Sequence, residues 1–248
     1  MADLILIFVA GLVGGLLNAI AGGGTFITFP TLVFTGMPVI AANATSTVAA
    51  LPGYLAAAIG FRRDIARLDR KLLIRLTGWT MLGSAIGSVL LLKSPDKAFA
   101  VLVPFLLLGA TLVFMNGARI REWAARQRGL VTAFGAGTMI PVAIYGGYFN
   151  GGLGIVLLAL FSMWGMTNLH EMNGLKCWLS FALSVVSMLI FAGGGKIVWI
   201  PALVMGLGTI LGGLAGAPVA RRIPMPVLRK LIAAVGFGMT AVFLYRLL

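Results

Sequence analysis

The chain of 248 residues has one histidine, one cysteine and only six acidic residues. Each scarcity excludes something. A single cysteine, Cys177, rules out an intrachain disulfide and a cysteine-rich metal site. One histidine next to one glutamate, with no His-Glu-x-x-His, leaves too few ligands for a catalytic metal. A lone histidine near the end of an apolar run also gives no serine a neighbouring base. The glycine-rich runs at 22–25 and 193–196 lack the full pattern of a nucleotide-binding loop. The sequence therefore reads as a non-enzyme, with neither metal nor cofactor expected. Charge of either sign is scarce as well, at 10% of residues, where a soluble domain carries about 25%. Such a chain cannot cover a water-facing surface.

What it has instead is 60% hydrophobic residues, distributed in long uncharged runs. Residues 4–61 and 129–169 contain no Asp, Glu, Lys or Arg, and shorter uncharged runs cover 76–92, 98–118, 177–195, 197–220 and 231–245. The net charge of +13 is no nucleic-acid footprint, because the basic residues sit in the gaps between these runs. Arg62, Arg63, Arg67, Arg70, Lys71 and Arg75 form one cluster. Arg119, Arg121, Arg126 and Arg128 form a second, and Arg221, Arg222, Arg229 and Lys230 a third. Basic loops stay on the cytoplasmic side of a membrane, so these three are assigned inside and the sparse gaps at 93–97 and 193–196 outside. The expected class is an all-α polytopic protein of the bacterial cytoplasmic membrane. No basic region precedes the first apolar run, so a cleaved signal peptide is not expected.

Counting from these anchors places spans at 41–60, 72–92, 98–116, 172–193, 197–218 and 227–246, each near the length that crosses a bilayer. Two apolar segments, 4–35 and 131–163, are too long for one crossing and by parity must return to the side they started from. Each reads as a broken, re-entrant hairpin with arms of about 16 residues, roughly 24 Å of helix. The breaks fall at Gly22-Gly23-Gly24 and at Gly151-Gly152 with Gly154, where a helix ends at little cost. Two ordinary tilted helices with bends are the other reading of these segments. The halves also echo each other. Asn18 and Gly22 match Asn150 and Gly154, Gly36-Met37 matches Gly165-Met166, Asn43 matches Asn173, and Gly83 and Gly87 match Gly212 and Gly216. With a hairpin and three spans per half, the second copy enters the membrane upside down. The expected organisation is one membrane domain with a first repeat at 1–116, a basic cytoplasmic linker at 117–130 and a second repeat at 131–248.

The Asn-x-x-x-Gly-Gly-Gly run at 18–24, the Ala-Asn-Ala-Thr-Ser patch at 42–46, and their echoes at 150–154 and 173–176 resemble the sulfite exporter TauE/SafE family. The resemblance spans nearly the whole chain and implies a transporter of sulfite or organosulfur anions. Residues able to serve such a substrate are polar groups where lipid would reject them. Lys176 offers a point charge to an oxyanion, or else snorkels to the headgroups. Asn43, Thr45 and Ser46, with Asn173, stand at expected helix starts, where they would cap free N–H groups and offer donors to bound oxygens. Asn18 and Asn150 would orient the tips formed by Gly22, Gly23 and Gly152, or serve only helix packing. His170 and Glu171 are candidates for proton coupling, or an ordinary interfacial pair. Gly83, Gly87, Gly212 and Gly216 read as close-packing positions. The leading function is secondary transport of a small anion by alternating access, with H+ or Na+ as the coupling ion. A passive anion channel and a non-transporting accessory or scaffold subunit are the other readings. Expected partners are the anion and membrane lipid, with no nucleic acid; the oligomeric state is not legible.

Overall fold

The computed structural model describes residues 2–20, 22–127, 132–220 and 225–245, with side chains except at 114, 117, 121, 217–220, 225–232 and 235. Among these residues all regular structure is helical: α1 (Ala2–Ile20), α2 (Thr25–Phe34), α3 (Val39–Gly60), α4 (Arg62–Ile65), α5 (Arg70–Lys93), α6 (Asp96–Met115), α7 (Gly117–Arg126), α8 (Ala136–Tyr148), α9 (Leu153–Met163), α10 (Leu169–Gly193), α11 (Trp199–Ala220) and α12 (Met225–Tyr245). Six of them, α1, α3, α5, α6, α10 and α11, are long and apolar enough to cross a membrane. Five of these coincide with expected spans. The sixth expected span, 227–246, falls on α12, with residue 246 outside the described residues.

Both long apolar segments break at their glycines, but the arms are not equal. At about 1.5 Å per residue, the 19 residues of α1 reach far enough to cross, whereas the 10 of α2 do not. The helix starts two residues before the apolar run and continues to Ile20, so the break is displaced toward the far end. In the second segment α8 has 13 residues and α9 has 11, both short. Most of the expected linker at 117–130 is the helix α7. Ala124 is buried while Arg119, Glu122, Trp123 and Arg126 are exposed, and α7 lies along α9. A short amphipathic helix with charges on one side and an apolar strip on the other suits the water-lipid boundary. Arg128, Arg221 and Arg222 lie outside the described residues, and Arg229 and Lys230 are described in backbone only.

The helices pair across the two halves. α1 packs on α11 and α8 packs on α5, while α3 meets α10 and α6 meets α12. Lipid supplies no hydrophobic drive between helices, so close approach of backbones must do it. The glycines supply that approach. A Cβ on Gly15 would fall 2.7 Å from Thr209 Cα, and one on Gly83 would meet Ile140 O at 2.7 Å. Gly87 faces Ile144 and Tyr148 of α8, and Gly212 and Gly216 face Leu12, Leu16 and Ala19 of α1, as their small-xxx-small spacing predicts. Pro52 lies inside α3 and deprives that helix of a backbone donor. Thr209 Oγ1 of α11 donates to the Ala49 carbonyl at 2.6 Å, tying α11 to α3 in the turn before that proline.

Candidate functional site

The two breaks touch. A Cβ built on Gly22 would stand 2.5 Å from Gly154 Cα, and one on Gly154 would stand 2.5 Å from Gly22 Cα and 3.1 Å from Lys176 Cδ. Backbone therefore lies against backbone at the two glycines that the sequence pairs, with the lysine stem against one of them. Each break is shaped by its own sequence. At the first, Gly22 adopts φ +78°, a left-handed conformation that costs glycine nothing. Its N–H donates to Leu17 O at 3.0 Å. Asn18 Oδ1 then accepts from Gly24 N–H at 2.7 Å, so the asparagine pairs a donor that the break in the helix leaves free. Gly23 is buried in the same turn and its carbonyl accepts from Phe26 N–H at 3.2 Å. Asn18→Ala is expected to lower the stability of the detergent-solubilised protein by about 1–3 kcal/mol, the cost of an unpaired buried donor. An unchanged thermal midpoint would mean that Gly24 N–H finds another acceptor.

At the second break Asn150 (φ +61°) and Gly152 (φ +70°) turn the chain into α9; asparagine is among the few other residues that tolerate this region. The Tyr145 hydroxyl donates to the Gly151 carbonyl across the turn. Asn150 is buried, and neither its amide nitrogen nor its oxygen completes a hydrogen bond, although the Tyr54 phenol lies next to it. Asn43 Nδ2 of α3 donates to Tyr148 O at 3.0 Å, while its own Oδ1 is buried without a partner.

Lys176 has no exposed surface, so it does not snorkel to the headgroups. Its Nζ donates to Asn173 Oδ1 at 2.9 Å. The single ion pair among the described residues is Arg67 with Asp64, at the surface, and none of the six acidic residues is buried. A buried ammonium with one neutral acceptor is costly, several kcal/mol by the ordinary measure of ion desolvation. The local field adds to its positive charge. The starts of α2 and α9, at Thr25 and Leu153, adjoin the same breaks, and a helix start carries partial positive charge and free N–H groups. The breaks thus hold one buried cation, the free N–H groups of two helix starts and the unpaired Oδ1 acceptors of Asn43 and Asn150.

Not all the expected site residues gather here. Ser46 Oγ lies 2.7 Å from Thr28 Oγ1, which itself donates to Gly24 O at 3.3 Å, so Ser46 adjoins the first break through Thr28. Thr45 faces elsewhere: its Oγ1 accepts from Val198 N–H at 3.1 Å, tying α3 to the start of α11. The expected capping role of Asn43, Thr45, Ser46 and Asn173 does not hold. α3 starts at Val39 behind Pro38, and α10 starts at Leu169 with Asn168 as its cap, accepting from His170 and Glu171 N–H groups at 3.0 and 3.4 Å. Alanine-rich sequence lets α3 begin before its polar patch, which therefore lies inside the helix. His170 is exposed at this capped end, and Glu171 accepts from Asn168 Nδ2 at 3.0 Å; both sit apart from the glycine junction. Thr28, Tyr54 and Tyr145 carry no signal of their own in the sequence, although Thr28 follows Gly24 by one helical turn and Tyr54 follows Ser46 by two.

Broken helices whose tips meet inside a bundle of apolar spans define a multi-pass membrane protein with buried polar groups at the breaks. Residues 7–243 match the family described as Sulfite exporter TauE/SafE, and the chain belongs to this family of membrane transporters. It is 32% identical to a "Probable membrane transporter protein" of Haemophilus influenzae, over 98% of this chain and 94% of the relative. It is 31% identical to "Probable membrane transporter protein YfcA" of Escherichia coli K12, over 97% and 89%. A third relative, "Probable membrane transporter protein ORF9" of a Sinorhizobium species, is 28% identical over 94% and 89%. No solved structure matches the chain significantly.

Proposed function

We propose that this protein is a secondary transporter of a small oxyanion in the bacterial cell membrane, working by alternating access, with Lys176 as the charge that binds the substrate. The observation that carries this reading is the fully buried Lys176 ammonium, with no counter-ion among the described residues, placed where two broken helices meet. An anion arriving there would supply the counter-ion and would bind more strongly than at a hydrated lysine, because the low dielectric strengthens its attraction. Two of the three ammonium protons are not engaged by Asn173. The unpaired amide of Asn150 and the free oxygen of Asn43 stand at the second break; the Asn150 Nδ2 can donate to a bound oxygen. Sulfite, or a sulfonate sharing its three-oxygen head, suits this donor set, and the family description points the same way.

The two-repeat organisation, 1–116 and 131–248 inverted about the linker, is part of the proposal. It is supported by the reciprocal packing, in which each half sends its broken segment against the penultimate long helix of the other: α1 on α11, α8 on α5. It is supported too by the meeting of Gly22 with Gly154, since equivalent positions touch where a two-fold axis passes. Two halves joined through backbone contacts at such an axis can rock against each other around one site.

The test is uptake of radiolabelled anions by proteoliposomes, with pH and sodium gradients imposed separately. Saturable uptake that accelerates when substrate is loaded on the opposite side is expected. Flux that rises linearly with concentration, with unitary currents in planar bilayers, would replace the carrier with a channel.

A further inference from the structure

α10 carries a polar face that continues beyond Lys176. At about 100° per residue, Asn173, Lys176, Ser180, Ser184 and Ser187 fall within an arc of about 80° on that helix, separated by one-turn steps. Lys176 and all three serines are at most 1% exposed. Hydroxyls in an apolar helix ordinarily bond back to the carbonyl four residues earlier. In this protein Thr47, Thr80, Thr111, Ser162 and Thr240 do so. Ser180 and Ser184 do not: both Oγ atoms are buried with no hydrogen-bond partner at all. Each such hydroxyl costs on the order of 1–3 kcal/mol unless something fills the need.

The face leads somewhere. Ser187 Oγ is 3.0 Å from Ser84 Oγ and accepts from Ser88 Oγ at 2.8 Å. Gly147 O lies 3.3 Å from the same Ser88 hydroxyl, as its alternative acceptor. The next residue, Tyr148, has its hydroxyl 3.3 Å from Ser94 Oγ, just past the end of α5. Polar groups thus run from Lys176 to the membrane face on which Lys93 and Lys196 lie, between α10, α5 and α8. In the present conformation the run is closed, and only its middle section, Ser180 and Ser184, is unpaired.

We propose that this face of α10 is the route between the Lys176 site and the membrane face bearing Lys196, and that Ser180 and Ser184 donate to the anion's oxygens as it passes. They stand one and two turns beyond Lys176, so a small oxyanion leaving the ammonium meets a hydroxyl at each turn. The Ser84, Ser88, Ser187 cluster and the contact of Tyr148 with Ser94 close the route. This inference rests on the transport reading, but its test does not need transport to be measured.

The test uses single cysteines at 180 and 184 in a Cys177→Ala background, reconstituted in vesicles and exposed to a membrane-impermeant methanethiosulfonate from one side at a time. K196C identifies the vesicle face in question. S180C and S184C are expected to react from that face at least tenfold faster than A182C, which lies on another side of the same helix and is also shielded from bulk water. Sulfite or a sulfonate is expected to slow the reaction severalfold. Reaction no faster than A182C, or reaction only from the opposite face, would overturn the route. As a second measurement, the Ser180→Ala/Ser184→Ala double variant, which nearly preserves volume, is expected to cut maximal uptake at least fivefold at equal protein in the membrane. Unchanged uptake would remove the two serines from the path. Failure of the cysteine test with saturable uptake intact would discard this route and retain the carrier; linear flux with reactive cysteines would do the reverse.

Discussion

Lys176→Met is expected to reduce anion uptake per unit KM on the order of 100-fold while making the protein harder to unfold. The two effects have one origin. Charge-assisted hydrogen bonds contribute about 1.5–3 kcal/mol each, and loss of one of them on a bound oxyanion corresponds to roughly ten- to 150-fold in affinity. In the substrate-free protein the same ammonium is buried against a single neutral acceptor, so an apolar side chain of similar length relieves a desolvation cost. Replacement of buried charge by well-packed apolar groups is commonly neutral to about 1–4 kcal/mol stabilising, and methionine adapts to irregular space. Uptake kinetics in proteoliposomes and thermal unfolding in detergent check the pair. A lysine kept only for structure would give the opposite pattern, a lower midpoint with normal kinetics in the protein that survives, and that result would end its assignment to substrate.

Gly22→Ala has the second large expected effect, and it falls on assembly. A left-handed backbone costs an alanine about 1–2 kcal/mol. The added Cβ would also sit 2.5 Å from Gly154 Cα, where neither neighbour is a side chain that can rotate away. Overpacking of this kind adds about 1–3 kcal/mol. Gly36 gives the comparison, with φ +88° and nothing within 4 Å of the place an added methyl would take. Gly36→Ala should therefore cost only the conformational part, and Gly154→Ala only the steric part. Thermal unfolding in detergent across the three variants separates the contributions. If Gly22→Ala and Gly36→Ala lost equal stability, the close approach of the two breaks would be wrong.

The spans are legible because membrane insertion writes itself in charge: helices cannot carry unpaired Lys, Arg, Asp or Glu through lipid at low cost, so the gaps between charges mark their ends. The breaks are legible because three consecutive glycines cannot hold a helix against a competing turn. That Gly22 and Gly154 touch is not visible there, although the matching Asn-x-x-x-Gly spacings set them side by side; contact across halves follows from packing. Asn43 and Asn173 mislead because a polar patch resembles a cap when the preceding residues are apolar, and only the backbone shows that α3 begins at Val39 and α10 at Leu169. Charge sets residues 117–130 apart in the sequence but does not announce their helix; a strip including Ala124 suffices to make α7. The serines of α10 do carry a signal in the sequence, with polar residues at 173, 176, 180, 184 and 187 repeating every three or four places. Serine is too common in membrane helices to draw notice until its hydroxyl is seen without a partner.

The exchange of partners between halves has a consequence for biogenesis. α1 is complete at Ile20, but the helix whose backbone it needs does not begin until Trp199. During synthesis the glycine-rich side of α1 must wait in the bilayer, facing lipid or a chaperone, until most of the chain has left the ribosome. Neither half can reach its final packing alone, and the last helices to emerge determine when the first becomes settled.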